Sequence, residues 1–170
     1  PQYFVYRSIH QKCQKIIGLD VVVALILIMM SLEDIVAEYL KHPMHHNLNM
    51  NVELGKNSAT ITMTIHDSVI NLVGILHGAI YFKLIDDACF FAALSARESS
   101  FVATSNMTIH YLKPASKGVL IAHAKMITKQ GRKYLCECEI KDEEGTIYTY
   151  GSGSFIEPKK SYDYQARFKQ

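Results

Sequence analysis

The 170-residue chain carries 18 Lys and Arg residues against 16 Asp and Glu residues, a formal net charge of +2, and 49% of its residues are hydrophobic. The length predicts one domain with a core of its own. The near balance of charge, without a long basic run, excludes nucleic-acid binding through bulk electrostatics. The four cysteines (Cys13, Cys89, Cys136 and Cys138) lack the spacing of a disulfide scaffold. They predict reduced thiols and a cytoplasmic protein.

The first thirty residues contain an apolar run that Asp20 interrupts, leaving Val21–Met30 as its longest uninterrupted part. This part is shorter than the ~20 residues that a membrane-crossing helix needs, so no membrane partner is expected. Residues 1–30 are predicted to be an N-terminal extension of uncertain role, an extra helix or a non-native leader rather than a targeting segment. A natural start at Met29 or Met30 also fits. Residues 31–158 are predicted to form the domain, and residues 159–170 a polar tail.

The hydrophobic periodicity then predicts the elements in chain order. Apolar residues at helical spacing indicate a helix at Leu32–Lys41, with Ser31 and Asp34 as its capping box. Two-residue alternation indicates strands at 47–54 and 59–65, and a long buried helix follows at 80–96. Four further strands are predicted at 101–112, 119–128, 133–141 and 146–156, joined as an antiparallel meander. The predicted fold class is α+β, with one long central helix wrapped by a curved antiparallel sheet of about six strands.

The chemistry-bearing motif lies at the start of the long helix. Asn71 precedes an apolar run that ends in His77-Gly78-Ala79, and Asp86 follows nine residues after the histidine. A carboxylate in so apolar a helix needs a partner or a task, because an unpaired buried charge is costly. Nine helical residues place His77 and Asp86 on opposite sides of the helix and ~13 Å apart along its axis. If both take part in chemistry, a second subunit has to bring its own Asp86.

These residues form an ordered set with four later ones: Thr104, Lys113 within Tyr-Leu-Lys-Pro, and Gly131-Arg132. The set resembles that of the hotdog-fold acyl-CoA thioesterases of the PaaI type, over about Leu32 to Ile156. The chain departs from the family's usual His-Gly-Gly, since Ala79 stands in place of the second glycine.

The resemblance implies hydrolysis of an acyl-CoA at a site between subunits of a dimer or a dimer of dimers, without a cofactor or a metal. It implies that Gly78 N–H binds the thioester carbonyl oxygen and that Asp86 of the partner acts as general base or nucleophile. Thr104 would hold the water or the carboxylate, and Asn71 and His77 would fix the loop near the reacting atoms. Substrate binding would involve Ala79, Lys113, Gly131 and Arg132, the last three near the CoA phosphates.

Duller interpretations stay open for each residue. Asp86 could be a structural carboxylate, His77 a helix cap, Thr104 an ordinary strand residue, and Gly131-Arg132 a turn glycine beside an exposed cation. Asp87 is interpreted as structural or exposed. His42, His45 and His46 are interpreted as solvated histidines, since no carboxylate or cysteine accompanies them at metal-ligand spacing. Two other functions also remain: a hotdog module that binds acyl-CoA without turning it over, and a thioesterase that acts on acyl-carrier protein.

Overall fold

The computed structural model describes residues 31–96 and 101–159. The first helix, α1 (Leu32–Lys41), begins at a reciprocal cap. Ser31 Oγ accepts from the Asp34 N–H, and Asp34 Oδ2 accepts from the Ser31 N–H, both at 3.1 Å. The predicted capping box is therefore confirmed. The helix ends before Pro43, which opens a short 3₁₀ turn.

Six strands make one antiparallel sheet: β1 (Met50–Gly55), β2 (Ser58–Thr64), β3 (Ala103–Tyr111), β4 (Val119–Gln130), β5 (Lys133–Lys141) and β6 (Ile147–Ile156). Their alternation of buried and accessible residues follows the pleat, as in β2, where Ala59, Ile61 and Met63 point into the core. The predicted strands all exist, and their ends differ from the prediction by at most three residues.

The order of the strands differs from the predicted meander. The sheet runs β1-β2-β4-β5-β6-β3, so β3 pairs with β6 and forms one edge, while β4 lies between β2 and β5. The physical reason lies in the connection between β3 and β4, which packs against the start of the central helix instead of making a tight turn. Leu76 N–H donates to Ala115 O at 2.7 Å, and Ala115 N–H donates to Tyr81 Oη at 2.9 Å.

The central helix, α2 (Gly78–Ser95), contacts all six strands. Its residues are buried around most of its circumference, as the sequence predicts for a wrapped helix. Gly151 of β6 allows this close packing, because a Cβ at that position would lie 2.9 Å from Ile85 Cγ2 and 3.1 Å from Thr108 O. The curved sheet around one long helix confirms the predicted fold class.

Candidate active site

The loop before α2 is closed by the side chain of Asn71. Its Oδ1 accepts from the N–H groups of Val73 at 3.0 Å and Ile75 at 3.3 Å. Its backbone N–H donates to Ile75 O at 2.7 Å, and Gly74 completes the turn at φ +78°. Asn71 therefore fixes the chain that leads into the helix, which is a shape-determining role.

His77 is the N-cap of α2. Its Nδ1 accepts from the Ala79 N–H at 3.1 Å. A ring nitrogen that accepts carries no proton, so in this arrangement the imidazole proton lies on Nε2. The side chain is exposed, and an Nε2–H donor faces the space outside the helix. This cap also occupies the Ala79 amide.

Gly78 is the first residue of α2, where amide groups have no acceptor within the helix. With the Ala79 amide on His77, the Gly78 N–H is the donor at the positive end of the helix dipole. Its carbonyl accepts from Tyr111 Oη at 3.1 Å, which ties β3 to this helix end. The atoms nearest to a Cβ at Gly78 would belong to the Tyr111 side chain, at 3.8 Å, an ordinary contact.

Asp86 is half-buried in the middle of α2 and faces the start of β3. Its Oδ1 accepts a hydrogen bond from Thr104 Oγ1 at 2.9 Å. Burial raises the pKa of this carboxyl, the hydrogen bond from Thr104 opposes the rise, Asp87 adds to it and Lys83 opposes it. The result is a carboxylate of increased basicity at the edge of the sheet.

One protomer does not bring Gly78 and Asp86 together. Eight residues of helix separate them, ~12 Å along the axis. A surface cleft of about 620 Å³ adjoins the helix start and is lined by Asp67, Ile70, Asn71, Leu72, Val73 and His77, without Asp86. Within one described chain, the Gly78 N–H and the Asp86 carboxylate therefore lie apart.

The predicted substrate-binding residues also lie at two ends. Lys113 follows β3 at the Gly78 end, with its Nζ 5.7 Å from the centre of the Tyr148 ring. Gly131, at φ +56°, and Arg132 make the β4–β5 turn, where Arg132 Nη1 donates to Glu157 O at 2.8 Å. Lys133, next to Arg132, pairs with Ile156 of β6, and Ile156 pairs in turn with Ala103 at the start of β3. Tyr111, near Lys113, lies eight residues further along β3. That distance is ~25 Å.

The aromatic residues of α2 divide by environment. Tyr81 and Phe91 are buried in the core. Phe82 is 43% exposed and lies between Gly78 and Asp86 on the same side of the helix, since residues four apart share a face. Phe90 lies one turn after Asp86, with its ring 5.8 Å from that of Phe101.

Two features escaped the sequence reasoning about the site. Tyr111 belongs to the recognised motif, but its bond to Gly78 depends on β3 reaching the helix start, which periodicity does not reveal. The second feature is the environment of Asp87, which was interpreted as structural or exposed. It is buried and receives hydrogen bonds from Tyr39 Oη and Lys83 Nζ, so the structural alternative holds and the exposed one is wrong. Its partner Tyr39 comes from α1, 48 residues earlier, and nothing in the local sequence indicates it.

His45 and three of the cysteines are buried in the packed interior. His45 is buried rather than solvated, contrary to the prediction, because it stacks on Tyr39 with ring centres 3.8 Å apart. Cys89, Cys136 and Cys138 are free and buried, and Cys13 lies outside the described residues. Across 31–96 and 101–159, no three His, Cys, Asp or Glu side chains are grouped closely enough to hold a metal ion.

The predicted N-terminal extension at 1–30 lies outside the described residues, as does all but the first residue of the predicted polar tail. In the part of the chain that the structure describes, neither helix is both long and apolar enough to span a membrane.

Comparison with known proteins gives a family match and a shared fold. Residues 73–149 match the model of the thioesterase superfamily. A Saccharolobus solfataricus protein that carries the name of an esterase is 27% identical over 104 residues, 61% of this chain and 74% of its own.

Solved structures share the fold. The E. coli PaaI protein from the phenylacetic acid degradation operon is 21% identical, with a TM-score of 0.66 over 74% of this chain and 91% of its own. A thioesterase from Haemophilus influenzae is 18% identical, with a TM-score of 0.67 over 75% and 90%. The resemblance predicted from the sequence is therefore confirmed: over residues 73–149 the chain matches the thioesterase superfamily, and around this segment it folds as a hotdog domain.

Proposed function

We propose that the protein hydrolyses an acyl-CoA thioester to a carboxylic acid and free CoA, at a site formed between two protomers. Thioester hydrolysis as the reaction class is supported by the match to the thioesterase superfamily. The observation that carries the proposal is the Asp86–Thr104 pair: a half-buried carboxylate of raised pKa, aligned by a hydroxyl at the edge of the sheet. A carboxylate in that state suits a general base near neutral pH.

The edge strand β3 supports a two-protomer site. Seven of its nine residues are exposed, and among the described residues its outer edge has no paired strand. A long unprotected edge of this kind favours pairing with another chain. At the other edge, by contrast, β1 has α1 beside it.

A two-fold axis between Met107 and Thr108 would pair β3 with its copy in antiparallel register. Position 104 of one chain would then lie opposite position 111 of the other, since the two numbers are equally far from the axis. Thr104 donates a hydrogen bond to Asp86, and Tyr111 donates one to the Gly78 carbonyl, as described above. The partner's Asp86 would therefore approach this protomer's Gly78, so the two half-sites would combine.

The same axis would bring Arg132 of the partner subunit to the end of the sheet where Lys113 lies. Arginine and lysine suit phosphate groups, and together they would offer two cations near the mouth of the site. This arrangement supports both residues as contacts of the CoA phosphates, although one protomer holds them at opposite ends.

The reaction then needs one water molecule. The thioester carbonyl oxygen accepts a hydrogen bond from Gly78 N–H. The partner's Asp86 takes a proton from the water molecule while the water oxygen bonds to the carbonyl carbon. When the tetrahedral adduct collapses, the C–S bond breaks and the electron pair leaves with sulfur. His77, the N-cap of the helix, can donate a hydrogen bond from Nε2–H to that sulfur; the proton held by Asp86 completes the free thiol. If Asp86 attacks directly instead, an anhydride forms and water cleaves it.

A thiol-release assay with aryl and aliphatic acyl-CoA substrates tests the proposal. We expect turnover by the wild type and a loss of ~10²–10⁴-fold in Asp86→Asn, which keeps the shape and removes the base. Folding and oligomeric state of the variant are checked by circular dichroism and size-exclusion chromatography. Label on the Asp86 carboxylate after a single turnover in ¹⁸O-labelled water would identify direct attack followed by cleavage of the anhydride at the Asp86 carbonyl, because a general base acquires no label.

The same assay decides between the proposal and its two rivals. If thioesters of acyl-carrier protein were hydrolysed and acyl-CoA thioesters were not, the substrate would be an acyl-carrier protein thioester instead of an acyl-CoA. Tight binding of acyl-CoA with no turnover on any substrate would contradict hydrolysis and favour a binding module.

A further inference from the structure

Beside the proposed site lies a second charged group on α2. Asp87 is only 8% exposed and receives hydrogen bonds from Lys83 Nζ, one helical turn earlier, and from Tyr39 Oη of α1. Lys83 Nζ also donates to Tyr39 Oη at 3.3 Å. These three side chains close a ring of contacts, here called the Tyr39–Lys83–Asp87 cluster. It joins α1 to the central helix.

Tyr39 is itself held firmly. Its ring stacks on His45, packs edge-on against Phe91 with centres 4.9 Å apart, and lies 5.3 Å from Lys83 Nζ. The carbonyl of Tyr39 accepts from His45 Nδ1 at 2.5 Å. Because both its ring and its backbone are fixed, its hydroxyl is a positioned group for the Asp87–Lys83 ion pair.

Lys83 has two carboxylates within reach on its own helix. Asp86 is three residues later and Asp87 four, and both spacings allow an ion pair. In the structure the ammonium lies on Asp87, where the two side chains are 21% and 11% exposed. An ammonium on Asp86 would stabilise the carboxylate and make it a weaker base.

We propose that Asp87 and Tyr39 are positioning residues that hold the Lys83 ammonium away from Asp86, leaving that carboxylate free to act on water. This inference rests on the proposed role of Asp86 as the catalytic base. Neither positioning residue touches the substrate; each acts through Lys83.

The direction of the effect follows from the groups that face Asp86. Thr104 of β3 donates a hydrogen bond to it; Lys83 and Asp87 of α2 act on its pKa through their charges, and Cys89 of α2 and Tyr39 of α1 interact with it electrostatically. Lys83 lowers the pKa of Asp86 and the charge of Asp87 raises it. Removing the charge of Asp87 and releasing Lys83 both act in the same direction, toward a lower pKa of Asp86.

The test compares the pH dependence of kcat/KM in three variants. In Asp87→Asn we expect the acid limb to move to lower pH, with a lower kcat and little change in KM. In Lys83→Met, which removes the cation and keeps the stem, the acid limb should move to higher pH. Glu38→Gln is the matched control: it removes one carboxylate from an exposed ion pair of α1 and should leave the profile unchanged.

A direct titration keeps the test independent of turnover. Carbon-13 NMR of the Asp86 side-chain carboxyl reports its pKa even if no acyl-CoA is hydrolysed, so failure of the proposed reaction and failure of this inference are distinguishable. We expect Asp86 to titrate at lower pH in Asp87→Asn than in the wild type. Tyr39→Phe is the second variant if Asp87→Asn does not fold, with a smaller shift in the same direction. An unmoved titration in a folded variant, or shifts of one sign in Asp87→Asn and Lys83→Met, would overturn the inference.

Discussion

Thr104 Oγ1 donates to Asp86 Oδ1 over 2.9 Å, and this bond links the edge strand of the sheet to the carboxylate of the central helix. The bond has a chemical and a geometric consequence. It orients one carboxylate oxygen, which leaves the other for a water molecule. It also ties the position of Asp86 to β3, the strand at which a second protomer is proposed to pair.

Replacing Thr104 by valine tests the chemical consequence. The hydrogen bond favours the charged form of Asp86 and so lowers its pKa; without it the pKa, already raised by burial, rises further. The carboxylate then forms at higher pH, and the acid limb of kcat/KM should shift to higher pH in Thr104→Val. Thr104→Ser keeps the hydroxyl and serves as the control. A Val profile that coincides with that of the wild type would contradict the role of this bond.

Gly78 offers a clean test of the backbone donor. Proline is well tolerated at the first position of a helix, and His77 already has the extended backbone (φ −65°, ψ 133°) that a following proline requires. Gly78→Pro therefore removes the N–H with little effect on the helix, and we expect kcat to fall by ~10²–10³-fold.

Gly78→Ala is the matched control for that experiment, because it keeps the N–H and adds a Cβ at an ordinary 3.8 Å from Tyr111. Its activity should stay much closer to that of the wild type. Equal losses in the proline and alanine variants would mean that space at this turn, rather than the donor, matters.

Asp86 should destabilise the folded protein at neutral pH. Its pKa in the folded state lies above the ordinary value because burial disfavours the charge. The free energy of unfolding is therefore not reduced by Asp86 below the unfolded-state pKa, where the carboxyl is protonated in both states. It falls as pH rises through the folded-state pKa, because the buried carboxyl then becomes charged. Asp86→Asn should melt at a higher temperature than the wild type at pH 7, and the difference should shrink as pH falls toward 4. A lower melting temperature at pH 7 would identify Asp86 as a structural carboxylate.

Much of the fold could be predicted from local patterns. The capping box at Ser31 and the alternation in β2 depend only on neighbouring residues, so the sequence was sufficient. The place of β3 was not predictable in the same way. Its pairing with β6 joins residues 38 to 53 positions apart, and the chain between β3 and β4 packs on Tyr81 instead of forming a hairpin.

In the candidate site, too, features that depend on local sequence could be predicted and those that depend on tertiary packing could not. The helix start at His77-Gly78 and the carboxylate of Asp86 follow from motif and spacing, including the conclusion that one chain cannot unite them. The Tyr39–Lys83–Asp87 cluster could not be predicted, because Tyr39 belongs to the apolar stripe of α1 and meets Asp87 only after that helix has docked on α2.

The central claim is that the site is shared between protomers, and subunit complementation tests it directly. Asp86→Asn and Gly78→Pro are co-expressed with different tags, and the heterodimer is purified through both. If the partner's Asp86 acts at this protomer's Gly78, one of the two sites has both native groups, and about half of the wild-type activity should return. A heterodimer as inactive as either parent would contradict a shared site.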